Sequence, residues 1–138
     1  MTMPIMLFAA GKGTRMGELT VDRPKPMIEV AGMPLIDHAL QIVNAADVGP
    51  KVVNLHYLPQ VLRAHLSKQD IVFSDETEIL LETGGGLRKA LPLLGNGPVL
   101  TMNTDAVWNG PNPINALQDA WQPHMEALLL LVKKQNVS

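Results

Sequence analysis

Glycines and cationic residues cluster in one short stretch near the start of the chain, residues 9–26, with the sequence AAGKGTRMGELTVDRPKP. Gly11 and Gly13 permit backbone conformations that expose main-chain N–H groups, and successive N–H groups form concave sites for anions. Four cations lie among these glycines and prolines: Lys12, Arg15, Arg23 and Lys25. The stretch therefore predicts a site for a polyphosphate.

Three glycine patterns that bind nucleotides can be compared with this loop. A Walker A loop has the form G-x-x-x-x-G-K-[ST], and this loop has no lysine in the required place. A dinucleotide fingerprint has the form G-x-G-x-x-G and is followed by an acidic residue near the end of the second strand. In this loop Gly17 comes one residue too late for the third glycine, and the second predicted strand does not end in an acidic residue. The pattern G-x-G-T-R-M followed by P-K-P fits a nucleoside-triphosphate loop closed by a distant lysine. Pro24 and Pro26 would limit the entropy lost in aiming Lys25.

Polar residues follow two of the predicted strands. Asp105 comes soon after the apolar run at residues 98–102, and a carboxylate there suits Mg²⁺, which prefers one or two carboxylates together with phosphate oxygens and water. A turn-capping role for Asp105 is the alternative. Asn54 and His56 lie at the end of another predicted strand, where each could contact a ligand or make a structural hydrogen bond.

A second loop contains three consecutive glycines, Gly84 to Gly86, directly after Glu82 and Thr83. Because glycine has no side chain, such a run lets the backbone lie against something flat or bulky, and Thr83 could donate or accept a hydrogen bond there. The alternative is a tight turn that caps a helix starting near Leu87. The same run of glycines can both contact a ligand and cap a helix.

Strand-like and helix-like segments alternate along the chain and would position these residues. Apolar runs predict strands at residues 4–9, 51–55, 70–73, 98–102 and 126–132, and helical spacing predicts helices at 35–46, 58–66, 86–94 and 114–121. This alternation predicts an α/β fold with a mainly parallel sheet and helices on both faces. The long loops at residues 10–32 and 74–85 leave from the carboxyl ends of strands, where such sheets bind ligands.

The composition restricts the class of protein. A chain of 138 residues suits a single domain, and 46% hydrophobic with 17% charged residues is typical of a folded soluble protein. A net charge of −2 and 4% aromatic residues argue against nucleic-acid binding. The absence of Cys excludes disulfides and thiolate metal sites. No apolar run is long enough for a membrane helix and no signal-peptide pattern is present, so we expect a cytoplasmic protein that does not bind membranes.

Taken together, these motifs resemble those of the sugar-nucleotide pyrophosphorylases. The similar segments are AAGKGTRM, PKPM, VAGMPLI, NLHYL, LETGGG, KALPLLG and NTDAVW, which cover nearly the whole chain. LETGGG and KALPLLG look most like the corresponding segments of the N-acetylmuramate 1-phosphate uridylyltransferases of cell-wall recycling. Related mannose 1-phosphate guanylyltransferase-like proteins share parts of the pattern.

The resemblance implies a function and a fold. It implies a nucleotidyltransferase with a Rossmann-like α/β fold, of the nucleotide-diphospho-sugar transferase type. Such an enzyme joins a nucleoside triphosphate to a sugar 1-phosphate, releases pyrophosphate and uses Mg²⁺. UTP and N-acetylmuramate 1-phosphate are the favoured substrates. One alternative is a mannose 1-phosphate guanylyltransferase or another sugar 1-phosphate nucleotidyltransferase, and another is a nucleotide-binding module without catalysis.

The resemblance also assigns roles to individual residues. Arg15 and Lys25 would stabilise charge on the phosphates, and Asp105 would hold Mg²⁺, so these three would be the catalytic residues. The residues that would bind the nucleotide are Ala9, Ala10, Gly11, Lys12, Gly13, Thr14, Arg15, Met16, Lys25, Glu82, Thr83 and Gly84. The turn at Gly84 would bracket the base and ribose. The family generally has glycine before this aspartate, whereas this chain has Thr104.

Catalytic domains of this family are typically longer than this chain. They carry a second metal-binding aspartate and the residues that hold the sugar phosphate in a later segment, whereas only KKQNVS follows Val132 here. We therefore expect residues 1–138 to be the nucleotide-binding portion of a nucleotidyltransferase domain that is truncated at its C-terminus. Apolar surface exposed at such an edge would favour a homo-oligomer.

Overall fold

The computed structural model describes residues 2–134, which form an α/β domain. Its strands are β1 (Met3–Phe8), β2 (Glu29–Val30), β3 (Met33–Pro34), β4 (Val48–Leu55), β5 (Val72–Asp75) and β6 (Leu100–Asn103). Its α-helices are α1 (Leu35–Asn44), α2 (Pro59–His65), α3 (Glu82–Leu94) and α4 (Pro113–Ala120). Two 3₁₀ helices, Thr14–Thr20 and Lys25–Met27, lie between β1 and β2.

The main sheet has the strand order β5-β4-β1-β6, and each neighbouring pair is parallel. β1 is a central strand with six apolar residues, which is the composition expected of a strand that is covered on both faces. β2 and β3 form a short antiparallel hairpin apart from this sheet. The predicted parallel α/β sheet is confirmed, and its carboxyl-terminal edge gathers the ends of β1, β4, β5 and β6.

Alternate residues of β1 pack against different helices. Ile5 and Leu7 belong to the larger apolar cluster, which includes buried residues of α1, α2 and α4. Met6 belongs to a smaller cluster with Ala90 and Leu94 of α3. Because successive side chains of a strand point to opposite faces, α3 covers one face of the sheet and the other three helices cover the opposite face.

Helix α1 shows how the local sequence forms its element. Its buried residues recur at helical spacing and are Leu35, Ile36, Ala39, Leu40 and Val43. Pro34 precedes the first turn, where its missing N–H leaves no helical hydrogen bond unmade, and Asp37 lies in that turn, where a negative charge is favourable. The prediction of a helix at this place is confirmed, although the helix ends at Asn44.

The predicted strand at residues 126–132 is wrong, since the structure has no strand there. The apolar run has the composition of a strand, but within residues 2–134 it pairs with no neighbouring strand, and Leu129 and Leu131 are 78% and 80% exposed. A strand requires hydrogen bonds from another strand, and composition alone cannot supply them. The expected homo-oligomer stays a prediction. None of the helices within residues 2–134 has the length and apolar character needed to cross a membrane.

Candidate functional site

A cleft of about 230 Å³ lies at the carboxyl-terminal edge of the main sheet. Its walls come from the ends of β1, β4 and β6, from the loops that follow β1 and β6, and from the segment between β5 and the first turn of α3. The residues that line it are Phe8, Ala9, Ala10, Gly11, Lys25, Pro26, Asn54, Leu80, Glu82, Thr83, Asn103, Thr104 and Asp105. This is the edge at which parallel α/β sheets bind ligands.

The chain leaves β1 through three small residues that line the cleft. Ala9 and Ala10 are buried, and the N–H of Ala9 donates a hydrogen bond of 2.6 Å to Oδ1 of Asn54. At Gly11, no atom of the described chain lies within 4 Å of the position that a Cβ would occupy. The first part of the loop is therefore anchored to β4, and its small side chains leave the cleft open.

The next glycine makes the loop fold back on itself. Gly13 has a φ of +65°, and a Cβ there would lie 2.9 Å from Cγ2 of Thr20 and 3.1 Å from Cβ of Lys25. The hydroxyl of Thr20 donates a hydrogen bond of 3.1 Å to the carbonyl of Gly13, and the hydroxyl of Tyr57 donates one of 2.7 Å to the carbonyl of Thr20. Glycine is favoured at position 13 because a positive φ strains other residues and an added Cβ would lie too close to Thr20 and Lys25.

Lys25 and Asp105 meet across the mouth of the cleft. Nζ of Lys25 lies 3.2 Å from Oδ2 of Asp105, and the two side chains are 35% and 48% exposed. Lys25 begins a 3₁₀ helix directly after the extended Pro24. Asp105 is positioned by Thr104, a buried residue whose hydroxyl donates a 2.8 Å hydrogen bond to the carbonyl of Phe8. Thr104 thus ties the segment after β6 to the end of β1.

The second glycine-rich loop differs from its prediction. Helix α3 begins at Glu82, so the three glycines lie within its first turns, whereas we expected a helix over residues 86–94. Glu82 has a φ of +61°, and Glu82 and Thr83 line the cleft. Gly84 does not line it, and apart from the backbone of its own helix and its chain neighbours no described atom lies within 4 Å of the position that a Cβ would occupy. The helix forms despite its glycines because its later turns bury Ala90 and Leu94 against the sheet.

A buried polar pair lies behind the cleft. Asn54 and Glu76 are 3% and 1% exposed, and Nδ2 of Asn54 donates a 2.9 Å hydrogen bond to Oε2 of Glu76. The N–H of Leu81 donates a 3.0 Å hydrogen bond to Oε1 of Glu76. Nδ1 of His56 donates a 2.6 Å hydrogen bond to the main-chain carbonyl of Glu76. His56 thus makes a structural hydrogen bond, one of the two interpretations left open by the sequence.

Asp75 is the last residue of β5 and directly precedes Glu76. Its pKa is below the ordinary value of 3.8, chiefly because the N–H of Thr77 donates a hydrogen bond to the carboxylate and also because Arg63 lies beside it. Nη2 of Arg63 is 3.1 Å from Oδ2 of Asp75. The contact with Arg63 ties the end of β5 to α2.

The structure brings some of the predicted site residues into the cleft and leaves others outside its walls. Those that line it are Ala9, Ala10, Gly11, Lys25, Glu82, Thr83 and Asp105. Those that do not are Lys12, Gly13, Thr14, Arg15, Met16 and Gly84. Arg15 is exposed on the 3₁₀ helix after Gly13 and pairs with no carboxylate in the described part of the chain.

Sequence reasoning missed Glu76. Glu76 lies in a run of five polar or acidic residues, Ser74–Asp75–Glu76–Thr77–Glu78, and nothing local indicates which carboxylate is buried. The one available signal was its position three residues after the predicted strand at 70–73. In the sequence Thr104 stands out only because it replaces a glycine, and nothing local indicates its hydrogen bond to β1.

The donors around the cleft offer few ligands to a metal ion. Within residues 2–134, no group of three or more His, Cys, Asp or Glu side chains is arranged to hold one. Two residues with carboxylates line the cleft, Asp105 opposite Lys25 and Glu82 at the start of α3. A cation bound there would need further oxygen ligands from another molecule.

The fold and the cleft define an α/β domain of the nucleotidyltransferase type. The chain belongs to the MobA-like NTP transferase domain family, whose profile matches residues 5–137. The resemblance inferred from the glycine-loop motifs is thus confirmed at the level of this family.

Three curated relatives show the range of similarity. The chain is 46% identical to an N-acetylmuramate alpha-1-phosphate uridylyltransferase of Caulobacter vibrioides, over 91% of this chain and 56% of that protein. It is 39% identical to the protein of that name in Neisseria meningitidis serogroup B, over 76% and 48%. It is 34% identical to a mannose-1-phosphate guanyltransferase of Kluyveromyces lactis, over 86% and 34%. The chain therefore spans about half the length, or less, of the curated relatives it matches.

Solved structures show the same fold. The chain superposes on HddC from Yersinia pseudotuberculosis complexed with GMP-PN with a TM-score of 0.64 and 25% identity, over 75% of this chain and 48% of that one. It superposes on a UDP-glucose pyrophosphorylase complexed with UDP-glucose with a TM-score of 0.69 and 19% identity, over 86% and 53%. The second likeness concerns the fold alone.

Proposed function

We propose that the cleft binds a nucleoside triphosphate and that the protein takes part in nucleotidyl transfer to a sugar 1-phosphate. The observation that carries this proposal is the meeting of Lys25 and Asp105 at 3.2 Å in a cleft lined by the glycine loop. In the reaction, an oxygen of the sugar phosphate attacks the α-phosphorus in line and pyrophosphate leaves. Such a reaction depends on positioning and on electrostatic stabilisation of the phosphates.

The phosphates are proposed to lie along the glycine loop. Ala9, Ala10 and Gly11 leave room for them, and Lys25 supplies a positive charge from across the cleft. The cleft of about 230 Å³ is smaller than the roughly 300–1,000 Å³ typical of ligand pockets, so part of the ligand must project beyond it. The exposed segment that carries Lys12 and Arg15 follows the cleft wall directly, and the guanidinium of Arg15 can offer two donors to phosphate oxygens.

Asp105 is the proposed ligand of Mg²⁺. Its single carboxylate fits this ion because Mg²⁺ is commonly held by one or two carboxylates, with phosphate oxygens and water completing its coordination. When bound, Mg²⁺ would offset negative charge on the phosphates. Lys25 pairs with Asp105, so engagement of this carboxylate by the metal would free the amine of Lys25 to turn to a phosphate.

The base and ribose are proposed to lie near the start of α3. Glu82 and Thr83 line the cleft there, and the hydroxyl of Thr83 can exchange hydrogen bonds with either group. Gly84 follows them in the first turn and has open space around it, which would allow a flat base to approach the backbone.

The two relatives with the highest identities quoted above are N-acetylmuramate alpha-1-phosphate uridylyltransferases, and they favour UTP and N-acetylmuramate 1-phosphate. The Kluyveromyces relative and the GMP-PN complex of HddC support a guanylyltransferase as a second candidate. A nucleotide-binding module without catalysis is the third candidate that the experiments below distinguish.

A binding panel followed by a turnover panel tests these candidates. Calorimetry with UTP, GTP, CTP and ATP, with and without MgCl₂, measures nucleotide binding, and release of pyrophosphate with a set of sugar 1-phosphates measures transfer. Tightest binding of UTP with turnover on N-acetylmuramate 1-phosphate is the expected result. Preference for GTP would favour the guanylyltransferase, and binding without turnover on any sugar would favour the module. Binding of none of the four nucleotides would overturn the proposal.

A further inference from the structure

A chain of three hydrogen bonds runs through buried groups from the glycine loop to the second loop. The N–H of Ala9 donates to Oδ1 of Asn54 at 2.6 Å, and Nδ2 of Asn54 donates to Oε2 of Glu76 at 2.9 Å. The N–H of Leu81 donates to Oε1 of Glu76 at 3.0 Å. The side chains of Asn54 and Glu76 thus connect the residue that leaves β1 with the residue that precedes α3.

The donors and acceptors in these hydrogen bonds determine which side chains can occupy positions 54 and 76. Asn54 uses its oxygen for Ala9, so its NH₂ group must face Glu76. Glu76 meets one donor at each of its oxygens, and a carboxylate is the side-chain group of this shape that accepts at both. Such a group is costly to bury unless it is fully hydrogen-bonded, so its presence points to a requirement beyond filling space.

Gly86 provides an independent observation that the position of Glu76 matters. A Cβ on Gly86 would lie 2.9 Å from Oε2 of Glu76 and 3.2 Å from Nδ2 of Asn54. The third glycine of the run therefore makes space for the buried pair, whereas Gly84 has open space around it. Helix α3 accepts a residue with poor helix propensity at a position where any side chain would displace the pair.

We propose that Glu76 and Asn54 are a positioning pair that sets the distance and orientation between the two nucleotide-holding loops. This inference rests on the proposed function, because the loops in question are those assigned to the phosphates and to the base. Glu76 acts through the N–H of Leu81, next to Glu82 and Thr83, and Asn54 acts through the N–H of Ala9. Neither needs to take part in the chemical step.

Exchanging the two functional groups tests the pair. In Glu76→Gln, one acceptor becomes a donor, so the new amide can satisfy Leu81 or Asn54 but cannot satisfy both. In Asn54→Asp, the new carboxylate faces the carboxylate of Glu76. In the double variant E76Q/N54D, the carboxylate at position 54 accepts from Ala9 and from the amide at position 76, whose oxygen accepts from Leu81. All three hydrogen bonds can then form with nearly unchanged shape.

Two readouts separate this inference from the proposed function. Amide hydrogen exchange of Ala9 and Leu81, measured by NMR on the nucleotide-free protein, reports the hydrogen bonds directly. Calorimetric titration with UTP and MgCl₂ reports their consequence for binding. We expect E76Q to speed exchange of at least one of the two amides and to weaken UTP binding about tenfold, the scale of losing one buried hydrogen bond to a charged group. Glu78→Gln, on an exposed residue of the same loop, is the matched control and should change neither.

The double variant decides the result. If amide protection and UTP affinity of E76Q/N54D both lie within about threefold of wild type, the result supports the positioning pair. This holds even if E76Q alone does not fold. Failure of the double variant to recover either readout would overturn it. Unchanged UTP binding in an E76Q protein with altered amide exchange would also overturn the positioning role. A wild-type protein that binds no nucleotide would overturn the proposed function and this role together, and amide exchange would still show whether the hydrogen bonds exist.

Discussion

The amine of Lys25 lies 3.2 Å from the carboxylate of Asp105, although the two residues are 80 positions apart in the chain. Both side chains remain partly exposed at the mouth of the cleft. Ion pairs of this kind contribute little to stability, on the order of 0–1 kcal/mol, because water screens the charges. The ion pair can therefore separate at little cost. The proposed binding of a metal–nucleotide complex would require this, because Lys25 would turn to a phosphate and Asp105 to the metal.

Replacement of Lys25 tests its proposed contact with the phosphates. Lys25→Met should weaken UTP binding at least about tenfold, because a charge-assisted hydrogen bond to phosphate is lost. Its free energy of unfolding should stay within about 1 kcal/mol of wild type, since the lost ion pair is exposed. Calorimetry and thermal unfolding provide the two values. Lys68→Met, on an exposed lysine away from the cleft, is the control, and an equal loss of affinity in that variant would contradict the assignment.

Replacement of Asp105 tests the proposed metal ligand. Asp105→Asn should remove most of the effect of MgCl₂ on UTP affinity while leaving some metal-independent binding, because the amide is a far weaker ligand for Mg²⁺ than the carboxylate. The measurement is a pair of UTP titrations, with MgCl₂ and with EDTA. Asp70→Asn is the matched control on an exposed residue. An undiminished Mg²⁺ effect in the Asp105 variant would remove this residue from the proposed site.

Two glycines of the first loop should respond differently to alanine. Gly13→Ala should lower the free energy of unfolding by about 1–3 kcal/mol, because its φ is +65° and the new Cβ would lie 2.9 Å from Thr20. Gly11→Ala should leave stability nearly unchanged, since its Cβ would meet no described atom within 4 Å, but it should weaken UTP binding by narrowing the cleft. Chemical denaturation and calorimetry distinguish the two, and equal destabilisation of both variants would contradict the loop geometry.

Asp75 should contribute to stability in a pH-dependent way. Its pKa in the folded protein is below 3.8, so the ionised form is favoured by folding, and the contribution is present above the unfolded pKa. The contribution is lost as the pH falls through the folded pKa. Asp75→Asn should therefore cost about 1 kcal/mol or less near pH 7, because the pair with Arg63 is half-exposed, and the difference should shrink near pH 3. Thermal unfolding of both proteins at the two pH values measures this, and a difference that grew in acid would have the wrong sign.

The regular elements with strong local patterns could be predicted from the sequence. The apolar run of β1 and the helical spacing of α1 encode their own structure, because each places its buried residues at the period of the element it forms. The start of α3 could not be predicted, since its first turns contain three glycines that disfavour a helix. The helix forms there because later residues anchor it on the sheet, which is a contact between distant parts of the chain.

The sequence by itself determined the family of this protein, the alternation of strands and helices, and the candidate residues Lys25 and Asp105. These follow from local composition and from motifs within a few residues of one another. Only the tertiary structure decided that Lys25 lies against Asp105, that Glu76 is the buried carboxylate of its loop, and that residues 126–132 form no strand. The physical reason is that ion pairs, burial of a polar side chain and strand pairing all depend on partners that are far away in the sequence and are brought near only by folding.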